Sequence, residues 1–328
     1  MKSLIFALEA VLPIILMVLI GYFIKSIGLV KKENAKLLNK LVFRLFLPIM
    51  LFLNVYNIEI SDGIGLGYIV YALIATVAIF LISIPIVILV TDKNTRRGAI
   101  LQSTFRSNYA LIGIPLAESL FGTNGVIIAT LLLAIIVPVF NILAVISLSL
   151  FNHDTQKPNI RKILTDIIKN PLIISIFLGL VALAVRILFV NNGIDFRLSD
   201  IKPLFKVLNY LSSVATPLAL LVLGIQFEFS AVKELKKEII FAVLIRNFLV
   251  PFFGLGFAYL LFKDTFSGAH FAALVAMFAT PVAVSSVPMV QEMGSDVDLA
   301  GQIVIWTTVI SAFTVFIASF ILKSVGIF

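Results

Sequence analysis

Arg106, Ser107, Asn108 and Tyr109 stand together in the stretch FRSNYALIGIPLAESLFG (105–122), flanked on both sides by long apolar runs. A guanidinium presents a planar fork of donors that matches a carboxylate, and the amide of Asn108 adds a further donor. Gly113 and Pro115 follow. Glycine lowers the cost of unwinding a helix, while proline removes a backbone donor and clashes with the preceding turn. A second stretch of the same character, ATPVAVSSVPMVQEMG (279–294), carries Pro281, Ser285, Ser286 and Pro288. Two helices interrupted at such places would turn free N–H groups at their half-helix N-termini toward an anion. Arg106, Asn108, Tyr109, Gly113, Pro115, Pro281, Ser285 and Ser286 are therefore the candidate substrate-binding residues, with Arg106 the preferred anion partner.

The elements that must hold these residues are membrane helices. The chain has 328 residues, 61% of them hydrophobic and 13% charged, and a mean hydropathy of +1.14. A soluble domain is about half apolar and one quarter charged. Apolar runs long enough for a bilayer core recur at 4–26, 36–57, 66–91, 97–120, 124–150, 168–190, 203–226, 237–262, 268–291 and 298–323, and none alternates as a barrel strand would. The first run is long, is interrupted by Glu9 and Pro13 and lacks a small-residue cleavage pattern, so it reads as a span and not as a signal peptide. The net charge of +8 falls in short loops, which points to membrane topology and not to nucleic acid. Fifteen Lys and Arg lie on one side of the ten runs and seven on the other, with Arg44, Arg106 and Arg246 inside them. The bias places both termini outside the cytoplasm, in a multi-pass protein of the cytoplasmic membrane.

The two halves echo each other. Asn39 and Pro48 in LNKLVFRLFLPIMLFL match Asn209 and Pro217 in LNYLSSVATPLALLVL, and GIPLAESLFGTNG (113–125) matches SVPMVQEMGSDVD (286–298). Five spans per copy is odd, so the second copy is inverted. Residues 1–150 form the first repeat, 151–167 a cytoplasmic linker and 168–328 the second repeat. The expected class is an all-α polytopic membrane protein with broken helices 4 and 9, an arrangement that secondary transporters use for alternating access.

NYALIGIPL (108–116) resembles the crossover signature of the auxin efflux carrier family, LNKLVFRLFLPIMLF (38–52) its second helix, and TPVAVSSVPMVQEMGSD (280–296) its ninth. The similarity runs essentially end to end. It implies helices 1, 2, 6 and 7 as a scaffold, often homodimeric, and helices 3–5 and 8–10 as a transport domain moving as an elevator. It also implies a carboxylate or auxin-like weak acid as substrate. Arg44 fits the family's basic position in helix 2, but the third span has no acid to pair with it.

A central arginine costs roughly 2.5–3.5 kcal/mol to insert, so each one needs a partner, a cavity or a function. Arg44 and Arg246, together with Glu118 and Glu292 at equivalent repeat positions, are candidates for coupling or gating. Asp296 and Asp298, in an acidic cytoplasmic turn, form with the carbonyls of span nine a candidate cation site. His153 and His270 stand alone, so no metal or cofactor is expected. No paired membrane aspartates and no H-E-x-x-H motif are present, which argues against an enzyme. The expected partners are the organic anion, membrane lipid and a second copy. A sodium-coupled symporter on the related bile-acid-transporter fold is the alternative carrier, and a channel stands behind it.

Overall fold

The computed structural model describes residues 2–58, 66–151 and 160–328; residues 152–159 of the expected linker, with His153 and Lys157, lie outside the described residues. Unbroken apolar sequence in lipid must satisfy its own backbone groups, and here it does so as helix. Apart from one isolated β-bridge, every regular element is helical: α1 (Lys2–Ser26), α2 (Lys32–Tyr56), α3 (Leu66–Val90), α4 (Asn94–Phe105), α5 (Tyr109–Leu150), α6 (Ile160–Lys169), α7 (Pro171–Asn191), α8 (Lys202–Gln226), α9 (Phe229–Glu234), α10 (Lys236–Phe262), α11 (Gly268–Phe278), α12 (Ser286–Glu292) and α13 (Val297–Ser324). Seven of the described helices (α2, α3, α5, α7, α8, α10 and α13) are long and apolar enough to cross a membrane, and two shorter apolar helices lie at 11–26 and in α11. The second part of the expected linker is helical, in α6, and Ser149 of α5 is hydrogen-bonded to Asp166 on it.

α1 lies along α8, and α2 packs against α7 and α8; α5 lies along α11, and α13 runs beside α10 and α1. The α1–α8 crossing is the tightest. A Cβ on Gly224 would sit 2.0 Å from the Val18 carbonyl oxygen, and one on Gly21 would sit 2.1 Å from that of Leu221. Close approach of backbones through small residues is how helices adhere where lipid gives no hydrophobic drive. Gly224→Ala is expected to force the pair apart and to cost about 3 kcal/mol, the upper range for overpacking. An unchanged thermal midpoint would show that the helices can slide to make room.

Three helices widen into a π turn, at Val42–Phe46 in α2, Tyr109–Gly113 in α5 and Ile245–Leu249 in α10. Each ends two residues before a proline: Pro48, Pro115 and Pro251. Proline cannot donate to the carbonyl four residues back and its ring crowds that carbonyl; a widened turn relieves both conflicts without breaking the helix. So Pro115 does not unwind its span, contrary to the expectation from the sequence. It lies exposed in an early helical turn, and the break falls at Arg106–Asn108, where Arg106 (φ −83°, ψ 101°) and Asn108 (φ −80°, ψ 49°) leave the helical region. Short polar side chains that compete for backbone partners favour such an interruption. Expected spans 4 and 5 meet within α5 at Gly122 (φ +56°, ψ −143°), a conformation for glycine alone. There the chain doubles back so tightly that a Cβ on Gly125 would lie 2.1 Å from the Ala117 carbonyl oxygen.

Candidate functional site

α4 and α11 have 12 and 11 residues, about 18 and 16 Å of helix, roughly half of a bilayer core. Both stop inside the protein, and the chain that leaves each one crosses the other. Ser107 and Val282 form the antiparallel β-bridge. The Asn108 N–H donates to the Pro281 carbonyl at 2.8 Å, and the Ala283 N–H donates to the Arg106 carbonyl at 3.3 Å. Pro281, with no N–H to give, stands where only its carbonyl is used. The non-helical backbone in each break is thus partly satisfied by the other break, a condition for irregular chain at membrane depth.

The two buried arginines at this crossing are held in opposite ways. Arg246 on α10 is 1% exposed. Its Nη2 donates to the carbonyls of Met277 (2.8 Å) and Thr280 (2.9 Å), its Nε to Thr280 (3.0 Å) and its Nη1 to Thr104 (3.4 Å). The last carbonyls of α4 and α11 therefore converge on one guanidinium. Each helix C-terminus carries about half a negative charge, so the two together balance the cation. From the sequence, Arg246 is a candidate for coupling or gating, or else a clamp on unwound backbone carbonyls; its hydrogen bonds are those of the clamp.

Arg106 is 2% exposed and has only neutral partners among the described residues. Its Nη1 donates to Gln102 Oε1 and Met289 Sδ, both at 3.2 Å, and its Nη2 to Asn141 Oδ1 (2.9 Å) and Ser285 Oγ (3.0 Å). Neither its Nε–H nor the buried Asn108 Nδ2 makes a hydrogen bond within the described residues. Both residues line a cavity of about 190 Å³ between the crossed breaks and α2, α5, α7 and α8. Tyr109, Asn141 and Ser285 contribute to its polar wall, and Leu47, Met50, Leu51, Leu111, Val137 and Phe140 to its apolar one.

The other sequence candidates divide. The Tyr109 hydroxyl donates to the Ala129 carbonyl at 3.1 Å, which anchors the residue in the core. Gly113 leaves room for that ring, since a Cβ there would lie 3.0 Å from Tyr109 Cδ2. Ser286 is buried with an unpartnered hydroxyl and does not line the cavity. The Ser286 and Val287 N–H groups are tied into turns to Ala283 and Val284, so α12 does not open its first amides to a ligand. The N-terminus at Tyr109 stays at the cavity wall, where the first amides of a helix lack intrahelical partners. Glu118 is exposed and absent from the cavity lining.

Glu292 pairs with Arg44 at 2.9 Å, and next to this pair α2 meets α12 and α8 through three amides. Asn39 Nδ2 donates to Gln226 Oε1 and to Gln291 Oε1, both at 2.9 Å; Gln226 Nε2 donates to Gln291 Oε1 at 3.0 Å, and Gln291 Nε2 to the Lys36 carbonyl at 2.9 Å. Arg44 is 62% exposed, so Arg44→Gln is expected to change stability by less than about 1 kcal/mol. Asn39→Ala leaves the buried Gln226 Oε1 unpartnered and should cost about 1–3 kcal/mol. Denaturation of the two variants side by side checks the contrast, and equal losses would refute it.

Arg96, counted with the loops, is instead buried among Asp296 (3.1 Å), Glu238 (2.9 Å) and Glu234 (2.6 Å). Asp296 also caps α13 at the Leu299 N–H (2.9 Å), and Lys32 approaches Asp298 at 3.5 Å. The acids weighed as a cation site are therefore engaged by cations of the chain. Between α8 and α9, a hydrogen bond from Lys25 at 2.8 Å holds the Glu228 carboxyl below its usual range. Sequence reasoning missed Gln102, Asn141, Asn54 and Thr216 around the cavity. The available signal was a lone amide or hydroxyl within an apolar run, as in PVFNILAV (138–145).

A helical bundle that crosses the membrane many times, with two helices broken beside a cavity that holds a buried guanidinium, has the architecture of a membrane transporter. A family model described as membrane transport protein matches residues 6–319, and the chain belongs to that family, the auxin efflux carriers that its motifs resemble. It is 24% identical over 319 residues to an uncharacterized transporter of Methanothermobacter thermautotrophicus, covering 92% of this chain and 94% of that one. It is 28% identical over 233 residues to an uncharacterized transporter of Methanocaldococcus jannaschii, covering 69% and 70%.

Proposed function

We propose that this membrane transporter is a secondary carrier of a small organic anion, which binds in the cavity between the crossed breaks and α2 and α8. The carrying observation is Arg106: a buried guanidinium on a cavity wall whose partners are all neutral. A charge in that position is unbalanced until an anion arrives, and the free donors of Arg106 and Asn108 suit the two oxygens of a carboxylate. Counting α4 with residues 109–120 as one span, and α11 with α12 as another, gives the ten spans and the inverted five-helix repeats of this reading. α1, α2, α7 and α8 then form the scaffold, with a second copy beside it, and the remainder moves past it with both termini outside the cytoplasm. Counterflow in proteoliposomes tests the proposal. Internal unlabelled carboxylate should accelerate uptake of the labelled acid, saturably and with or without sodium. Flux without exchange would indicate a channel, and an absolute need for sodium would indicate the symporter alternative.

A further inference from the structure

Resting on that carrier reading, we infer that the site is specific for short monocarboxylates with an apolar body, and that it rejects both dicarboxylates and acids built on fused rings. Three independent properties of the cavity lead there. The first is its charge. Of the described residues that line it, Arg106 alone is ionised at neutral pH. One guanidinium neutralises one carboxylate. A second carboxylate on the same molecule would have to leave water for a wall with no cation to receive it, which is strongly unfavourable for an ion.

The second property is the distribution of polarity. The donors gather at one place, where Arg106 and Asn108 sit beside the helix that begins at Tyr109 and the Ser285 hydroxyl holds the guanidinium. α2 and α5 face this place with Leu47, Met50, Leu51, Val137 and Phe140, and the only polar side chains that α2 and α8 bring to the lining are neutral, Asn54 and Thr216. Such a wall is matched by an alkyl or single-ring body, with at most a hydroxyl at its far end.

The third property is size. The cavity measures about 190 Å³. An apolar cavity of about 150 Å³ accepts benzene, so this one accommodates about eight non-hydrogen atoms. Pentanoate, hexanoate and their branched isomers match that volume; a fused bicyclic acid exceeds it.

The test measures thermal unfolding of the purified full-length protein at mildly alkaline pH, where all the acids are ionised. The probes are straight-chain monocarboxylates from acetate to decanoate, benzoate, indole-3-acetate, the size-matched dicarboxylates succinate and glutarate, and the uncharged hexanamide. The largest rise in midpoint is expected with pentanoate and hexanoate, at least about tenfold higher acid concentration is expected for the same rise with succinate or glutarate, and no rise is expected with hexanamide. Leu111→Ala, which enlarges the cavity and leaves Arg106 in place, should move the optimum to longer chains. Succinate matching hexanoate, indole-3-acetate ranking first, or an optimum that Leu111→Ala fails to move would overturn the specificity. In each of those cases the carrier site itself would stand, provided that Arg106→Gln abolishes the effect. Carboxylate stabilisation that persists in Arg106→Gln, or its absence for every acid in the wild type, would instead remove the carrier reading together with the specificity built on it.

Discussion

Arg106→Gln should lose carboxylate transport while the protein stays at least as stable as the wild type. The two halves of that expectation have one cause. A hydrogen bond to an ionised partner contributes about 1.5–3 kcal/mol, so removing the guanidinium should weaken carboxylate binding roughly 10- to 100-fold. In the absence of ligand the same guanidinium is a buried charge among neutral oxygens and a sulfur. A neutral residue in its place does not carry the cost of holding a charge away from water. Glutamine can still reach an amide or hydroxyl nearby, so Asn141 and Ser285 need not lose every partner. Arg106→Lys should fall between, since a point charge keeps the attraction and loses the fork. Uptake in proteoliposomes, with melting of the same preparations, measures both halves. A glutamine variant that transports normally would deny Arg106 its role, and one that fails to fold would make it a structural clamp.

Arg246→Gln should do the reverse and lose the fold. Its donors close off the carbonyls of Thr104, Met277 and Thr280, and no water lies at hand in the bilayer core to replace them. Each buried acceptor left unpaired costs about 1–3 kcal/mol, and the C-termini of α4 and α11 would then meet with their like partial charges bare. The sum approaches the whole stability of a typical domain, about 5–15 kcal/mol. Low yield and aggregation are expected, and ligand should not rescue them. Arg246→Lys should recover part of the fold, because an ammonium still neutralises the carbonyls even though it cannot reach all of them. A well-folded glutamine variant that had lost only transport would return Arg246 to the coupling role expected from its position in the sequence.

This contrast shows what was legible in the sequence. Composition and run length are enough to establish a polytopic helical membrane protein, because the bilayer admits so few structures. The motif NYALIGIPL led to the right family and to the right neighbourhood, since Arg106 and Asn108 do stand at the break. It misplaced the break itself. Pro115 is expected to be a breaker, yet there, as at Pro48 and Pro251, a widened turn absorbs the conflict and the helix continues, whereas Pro281 does stand in the second break. The actual interruption, at Arg106–Asn108, is stabilised by a partner 175 residues away in sequence, through Ser107 and Val282, and no local signal reports that. The same holds for Arg44, Arg106 and Arg246. In the sequence they are three charges at similar depths. What separates them is which oxygens happen to face them: a carboxylate near the surface, neutral side chains at a cavity, or the ends of two helices.

The meeting of Asn39, Gln226 and Gln291 has a consequence for any motion of α12 against α2 and α8. All three groups are uncharged, and each carries both donors and acceptors. Pulling them apart exposes no ion, and an amide that loses one neighbour can take another, or a water molecule, in either sense. The resistance they offer to separation should therefore be the same across the physiological range of acidity and salt. The nearby Arg44–Glu292 contact, by contrast, weakens as ionic strength rises. A fastening of this kind would work alike on either side of a proton gradient.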